Sequence, residues 1–301
     1  MLKSDDKTVS LVLGSGGARG LAHIGVIHWL AENGYIIKSI SGCSIGALVG
    51  GMYATGKLDD FEAWVRAVTR RDIFTFLDLS MQKGGFFKGD KVMEALKGLV
   101  GDMLIENLPI PYTAVATDIK NEREVWINKG SLFDAIRASI SLPLFLTPFE
   151  MNGVKLIDGG VLNPVPIAPT FMDDTDITIA VNLGAATEPP EKNKKPAIET
   201  AKQPSDFQSR IGGFIEDIKD KATSYFTPDW NIFDVANQSF DAMQSTIARQ
   251  KLAAYPPDVT INISRYACGT LEFDRAEEMI DMGFRMAEED MVISGRGADS
   301  L

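Results

Sequence analysis

Apolar and polar positions follow two rhythms along this chain, and the points where one gives way to the other mark its elements. Residues 8–14, "TVSLVLG", form a short buried-strand pattern that glycines break. Residues 20–34, "GLAHIGVIHWLAENG", take up helical spacing and stop at Asn33-Gly34, a good helix end. A second strand pattern, "YIIKSIS" (35–41), leads into a helical run over 44–56, closed by Gly56. In 58–72 Phe61, Trp64, Val65 and Val68 fall on one face of an amphipathic helix. Another helix is expected over 89–100. "PYTAVATDI" and "REVWIN" read as paired strands, and "SLFDAIRASI" as a helix with a serine cap. "GVKLIDGG" and "DITIAVNLG" are further strands.

Strands alternating with helices at these distances predict an α/β protein. The expected form is three-layer α/β/α, with a mainly parallel central sheet and extra C-terminal helices. The expected division is a core over 1–184, a flexible linker over 185–206 and a helical part over 207–301 that packs on the core, all in one domain. The linker reading rests on "AATEPPEKNKKPAIETAKQPSD", rich in Pro, Lys and Glu. Beyond it, Phe207, Ile211, Phe214, Ile218, Ala222 and Tyr225 recur at helical steps. Ile232, Val235, Phe240, Met243 and Ile247 make a rougher stripe over 231–251. "DVTINIS" (258–264) is a last strand, and 271–293 a closing amphipathic helix.

Bulk properties narrow the function. With 45% apolar and 24% charged residues, the 301-residue chain has the composition of a globular protein with a sizeable core. A net charge of −11 argues against nucleic acid and against adsorption to an anionic membrane by charge alone. Cys43 and Cys268 stand far apart, which fits a reducing compartment and offers no metal-type spacing. The N-terminus does not read as a signal peptide, and no window reaches the ~18 apolar residues of a membrane span. The expected location is the cytoplasm, with peripheral contact to a membrane surface left open.

The chemistry begins at Gly42-Cys43-Ser44-Ile45-Gly46, a G-x-S-x-G between a predicted strand and a predicted helix. Such a sharp turn lifts a serine out of the backbone at the positive end of a helix, where developing negative charge is favoured. A Ser-acid-His order fails, because the two histidines, His23 and His28, both precede Ser44. His23 shares a face with Ile27 and Leu30 and reads as a packed core histidine; His28 reads as surface or half-buried. A carboxylate in a dry pocket can serve as base instead. Asp158, which ends a short apolar strand before Gly159-Gly160, is the leading candidate; the alternative is a turn-forming aspartate.

Three features now stand in order: the glycine run Gly14-Ser15-Gly16-Gly17-Ala18-Arg19-Gly20, the G-x-S-x-G at 42–46 and Asp-Gly-Gly at 158–160. Together they resemble the patatin-like phospholipases, in the bacterial branch similar to the neuropathy target esterase catalytic domain. "AVATDI" (114–119) and "AIRASISLPLFLTPF" (135–149) add to the likeness, which spans about 8–184. The resemblance implies a serine lipid acyl hydrolase with a Ser44–Asp158 dyad, an acyl-enzyme and no cofactor or metal. It implies that backbone N–H groups of Gly16, Gly17 and Ser15 hold the oxyanion, with Gly14, Arg19, Gly20, Gly42, Gly46, Gly159 and Gly160 as motif support. Ser15 is a departure, since the family's loop often runs as continuous glycine.

Several other readings stay beside this one. A dinucleotide loop fails on register, because the sixth position from Gly14 is Arg19. Arg19 is expected to pair with a carboxylate or to lie near an anionic head group, and Asp118 has a weak claim as a second acid. Residues 141–151 offer apolar side chains for an acyl pocket. Residues 185–251 are a lid, a lipid contact, a dimer interface or plain cover for the sheet. The alternatives to hydrolysis are acyl transfer from the same serine, or a non-catalytic interaction role. The expected partner is a lipid or ester substrate, with oligomeric state open.

Overall fold

The computed structural model describes residues 7–69, 72, 85–186 and 232–298. The chain divides into two compact units, Met1–Glu188 with Met243–Leu301, and Pro189–Ala242. Of the second unit only 232–242, the start of a long helix, lies among the described residues. Most of the expected linker and the whole helical pattern at 207–226 fall outside them.

The first unit is built on an eight-stranded sheet. Strands β1 (Lys7–Leu13), β2 (Tyr35–Cys43), β4 (Tyr112–Asp118), β9 (Ile177–Ala185) and β10 (Val259–Ser264) run parallel in the order β10-β9-β1-β2-β4. Beyond β4 the sheet turns antiparallel: β8 (Val154–Asp158) pairs with β4, β7 (Phe149–Met151) with β8, and β5 (Arg123–Ile127) also with β4. The mainly parallel expectation therefore holds for one side of the sheet. The short strands β3 (Gly85–Phe87) and β6 (Leu144–Leu146) form a separate parallel pair that sequence periodicity did not reveal; three residues are too few to show a period.

Alternation in β1 sends its side chains to two different layers. Val9, Leu11 and Leu13 join the large apolar core with helices α1 (Ala22–Glu32), α2 (Ile45–Ala54), α5 (Leu132–Ser139) and α7 (Ala276–Ala298). Val12 instead meets Val165, Ile167, Ala180 and Ala248, the last on α6 (Ile232–Ala254). Helices thus cover both faces, as the sequence predicts. Helix α1 is buried nearly all round because α7 lies against it: a Cβ at Gly25 would sit 1.9 Å from the Ile280 carbonyl oxygen, and one at Gly283 equally close to that of Ala22. Helix α3 (Leu58–Ala67) ends earlier than the predicted 72, where Val68 turns extended. Helix α4 (Asp90–Val100) matches its expected range. The serine cap of α5 is present, with Ser131 Oγ accepting from the Asp134 N–H at 3.3 Å. Strand β10 completes the sheet, so the C-terminal segment supplies core as well as cover. Among the described residues no helix is long and apolar enough to cross a membrane.

Candidate active site

Strand β2 ends at Cys43 and α2 starts at Ile45, which leaves Ser44 alone to make the turn. It does so at φ 56°, ψ −124°, a conformation costly for a residue with a Cβ, on the order of 1–3 kcal/mol. The turn is fastened from outside: the Ser44 N–H donates to Ser139 Oγ at 2.8 Å, and Ser139 Oγ donates to the Val115 carbonyl at 2.6 Å. Close packing does the rest. A Cβ at Gly46 would lie 2.1 Å from the Leu13 carbonyl oxygen, so only glycine lets the start of α2 rest on the end of β1.

Asp158 arrives from the antiparallel side. Register pairs Cys43 with Val115 and Ala116 with Asp158, which sets the acid level with the serine across β4. The chain then crosses the end of β4 at Gly159, where a Cβ would meet the Val115 carbonyl oxygen at 2.1 Å and Cys43 Sγ at 3.0 Å. This crossing closes the gap: Ser44 Oγ donates to Asp158 Oδ2 at 2.5 Å. Asp158 Oδ1 accepts from the Gly160 N–H at 2.7 Å, and the Asp158 N–H is held by the Ser141 carbonyl at 2.9 Å. The carboxyl is 1% exposed. Burial pushes it up to about 6, against the hydrogen bonds from Ser44 and Gly160 that favour its charged form. Burial also raises the neighbouring Cys43 thiol, and the Asp158 charge adds to that, so Cys43 stays protonated.

The glycine run leaves β1 and enters a 3-10 turn over Gly17–Leu21. Gly17 takes φ 59°, and a Cβ there would strike the Thr270 carbonyl. The N–H groups of Gly16 and Gly17 make no hydrogen bond to any described residue. Ser15 differs from its expected role. Its N–H already donates to the Pro164 carbonyl at 2.8 Å, continuing the pairing that ties the Gly14 N–H to Val181, so it has no proton left for an oxyanion. Its side chain instead accepts from Gln244 Nε2 at 3.0 Å.

Arg19 is 4% exposed and clasps main-chain carbonyls, that of Gly16 through Nε at 2.9 Å and that of Arg265 through Nη1 at 2.7 Å. These bonds brace the loop. His23 lies under the loop, with Nε2 donating to the Gly14 carbonyl at 2.9 Å. Burial holds it down to about 4, so it is neutral, and its Nδ1 is buried without a partner among the described residues. His28 pairs with Glu62 at 2.5 Å on α3. Asp118, at the end of β4, accepts from Asn121 and Arg123 in its own turn. Those bonds, that from the Asn121 side chain foremost, hold its carboxyl below the usual range. Neither histidine is hydrogen-bonded to Ser44.

Two site residues escape sequence reasoning. Ser139 looks like an ordinary serine at a helix end. Gln244 sits inside a stripe whose apolar members suggest a different face. In the structure Met243 is 57% exposed, while Gln244, Ser245 and Ala248 turn inward. The reason is steric. That face of α6 meets glycine-rich backbone at Gly160 and Gly184, where small and polar side chains fit and large apolar ones do not. The stretch 141–151 is mixed: Leu146 is buried and Leu144, at φ 68°, is exposed.

A family model described as patatin-like phospholipase matches residues 11–171, which include all three glycine-bearing segments. An NTE family protein of Mycobacterium tuberculosis is 37% identical over 330 residues, covering 95% of this chain and 92% of its own length. The lysophospholipase NTE1 of Saccharomyces cerevisiae is 28% identical over 289 residues, covering 92% of this chain but 16% of that protein. Among solved structures, VipD of Legionella pneumophila aligns with a TM-score of 0.47 at 15% identity, over 95% of this chain and 67% of that one.

Proposed function

The chain belongs to the patatin-like phospholipase family and is an enzyme of its esterase and phospholipase class, and on that premise we propose that it is a serine lipid acyl hydrolase with Ser44 as nucleophile and Asp158 as base. The observation that carries this reading is the buried 2.5 Å hydrogen bond from Ser44 Oγ to Asp158 Oδ2. A carboxyl raised to about 6 is ionised near neutral pH yet basic enough to take a proton in the transition state.

The steps follow from the groups present. Asp158 takes the Ser44 hydroxyl proton as Oγ bonds to the ester carbonyl carbon, and the carbonyl π pair moves onto oxygen. The N–H groups of Gly16 and Gly17, at the start of the 3-10 turn, receive that oxyanion. Collapse expels the alcohol, which leaves with the proton from Asp158, and acyl-Ser44 remains. Water then gives its proton to Asp158 as it attacks the acyl carbon; the fatty acid departs and Ser44 Oγ regains the proton. Substrates are phospholipid or lysophospholipid esters met at a lipid surface. The free, unpaired Cys43 and Cys268 favour a cytoplasmic setting.

A fluorophosphonate probe tests the nucleophile directly. Wild type should take up one equivalent of label on Ser44 with parallel loss of activity, and Ser44→Ala should neither label nor release fatty acid from a panel of phospholipid, lysophospholipid and p-nitrophenyl esters. Equal labelling or release by the folded Ser44→Ala protein would sink the assignment.

A further inference from the structure

The oxyanion donors assigned above sit on two consecutive glycines, the most mobile backbone a chain can offer. Stabilising developing charge requires donors that are already in place. The downstream side of this pair is fastened: Arg19 Nε holds the Gly16 carbonyl, and the Ala18 N–H donates to the Thr270 carbonyl at 2.8 Å. The upstream side is fastened at Ser15, through its N–H to Pro164 and through its hydroxyl to Gln244.

Gln244 lies on α6, well beyond the segment 11–171 that carries the family match. It is 8% exposed. A Cβ at Gly160 would stand 2.2 Å from Gln244 Nε2 and 2.6 Å from Ser15 Oγ, so all three residues are in contact. Gly160 is the residue whose N–H holds Asp158 Oδ1. One amide therefore touches both the strut of the oxyanion loop and the turn that carries the acid. The helix presenting it is itself anchored. Lys251 Nζ meets Glu124 Oε1 at 2.6 Å, and Glu124 also accepts from Asn163, three residues past Gly160, at 2.7 Å. Ala248 packs into the small apolar cluster with Val12 and Val165.

We propose that Gln244 and the Ser15 hydroxyl are a positioning pair that locks the oxyanion loop against the Asp158-Gly159-Gly160 turn. This rests on the serine-hydrolase reading. It gives Ser15, the one non-glycine among residues 14–17, a function that glycine could not supply. Helix α6 thereby supports the loop that bears the oxyanion donors.

The test is steady-state kinetics on a p-nitrophenyl ester with Ser15→Ala, Gln244→Met and the double variant. Methionine keeps the length of Gln244 and removes its donor. Each single change should lower kcat about tenfold and leave KM within about twofold, because donor placement is felt in the transition state. The double variant should be no worse than the weaker single one, as two halves of one contact behave. Met243→Ala, on the exposed side of the same helix, should keep wild-type kcat. Wild-type kcat in either single variant, or losses that multiply in the double, would overturn the pairing. So would an equal loss in Met243→Ala. Ser44→Ala run alongside separates the two claims. Activity in Ser44→Ala defeats the hydrolase reading, whereas an inactive Ser44→Ala beside wild-type Ser15→Ala and Gln244→Met defeats the pairing alone.

Discussion

Asp118 and Asp158 make an instructive pair. They end neighbouring strands of one sheet, two register positions apart, and both side chains are shielded from solvent. Their acidities nonetheless move in opposite directions. Asp118 turns back into its own hairpin, where Asn121 supplies two donors and Arg123 a guanidinium at 3.2 Å. Asp158 turns inward across β4, where it meets one hydroxyl and one backbone N–H. Burial without a cationic partner disfavours charge; burial beside donors and a cation does not. What makes one aspartate basic and leaves the other an inert turn residue is therefore the direction of the chain after the strand. Gly159-Gly160 permits the crossing, and Ile119-Lys120 does not attempt it.

The largest way to break this contrast is to neutralise each acid in turn. Asp158→Asn should lower turnover by about 10²–10⁴-fold, the usual contribution of a general base. Asp118→Asn should stay within about threefold of wild type on the same ester, since it has no contact with Ser44 and no base role to lose. Comparable losses in both would mean that the two acids share the work.

Stability should respond in the reverse sense. Asp158 is harder to ionise in the folded state than in the unfolded chain. Its contribution is full below about 3.8 and is lost as pH rises through about 6. Asp158→Asn should then be more stable than wild type at pH 8, by up to roughly 3 kcal/mol on the rule that one unit of pKa is about 1.4 kcal/mol. Chemical denaturation at pH 8 and pH 4 measures it, and the gain should shrink at pH 4. For Asp118 the sign flips: its stabilisation is present above the ordinary carboxylate range and is lost as pH falls through its lowered value.

A smaller effect concerns rate against pH. Because the base must be ionised, kcat/KM should fall as pH drops through about 6, by about tenfold for each unit below it. A profile flat down to pH 4.5 would contradict a buried, neutral-flanked Asp158. Smallest of all is Arg123→Ala. The Arg123 side chain is 65% exposed, so it should move the acid-unfolding midpoint slightly upward and leave esterase activity unchanged.

Much of this was legible before any coordinates. The strand-glycine-helix rhythm located β1, β2 and the turn that bears Ser44, and the absence of a histidine after Ser44 left a carboxylate as the candidate base. Where sequence reasoning missed, long-range packing was the cause. The Ser15 N–H looked available because nothing nearby in sequence competes for it; its partner, Pro164, is 149 positions away along the chain. The rougher apolar stripe of 231–251 did not single out Gln244, which faces inward where α6 meets glycine backbone at Gly160, while Met243 beside it is 57% exposed.

By itself the sequence determined the longer strands and helices of the sheet and the residue types at their ends, because strand and helix periods and glycine punctuation are local properties of a chain. It also determined that both histidines, His23 and His28, precede Ser44, so that a Ser-acid-His order is absent. Only the tertiary structure decided that the acidities of the two sheet-end aspartates move in opposite directions, since acidity depends on the donors that distant segments bring and on how much water they exclude. It likewise decided that the Ser15 N–H is taken up by the Pro164 carbonyl and that the Ser15 hydroxyl accepts from Gln244. Those contacts join residues 149 and 229 positions apart, and no local pattern records them.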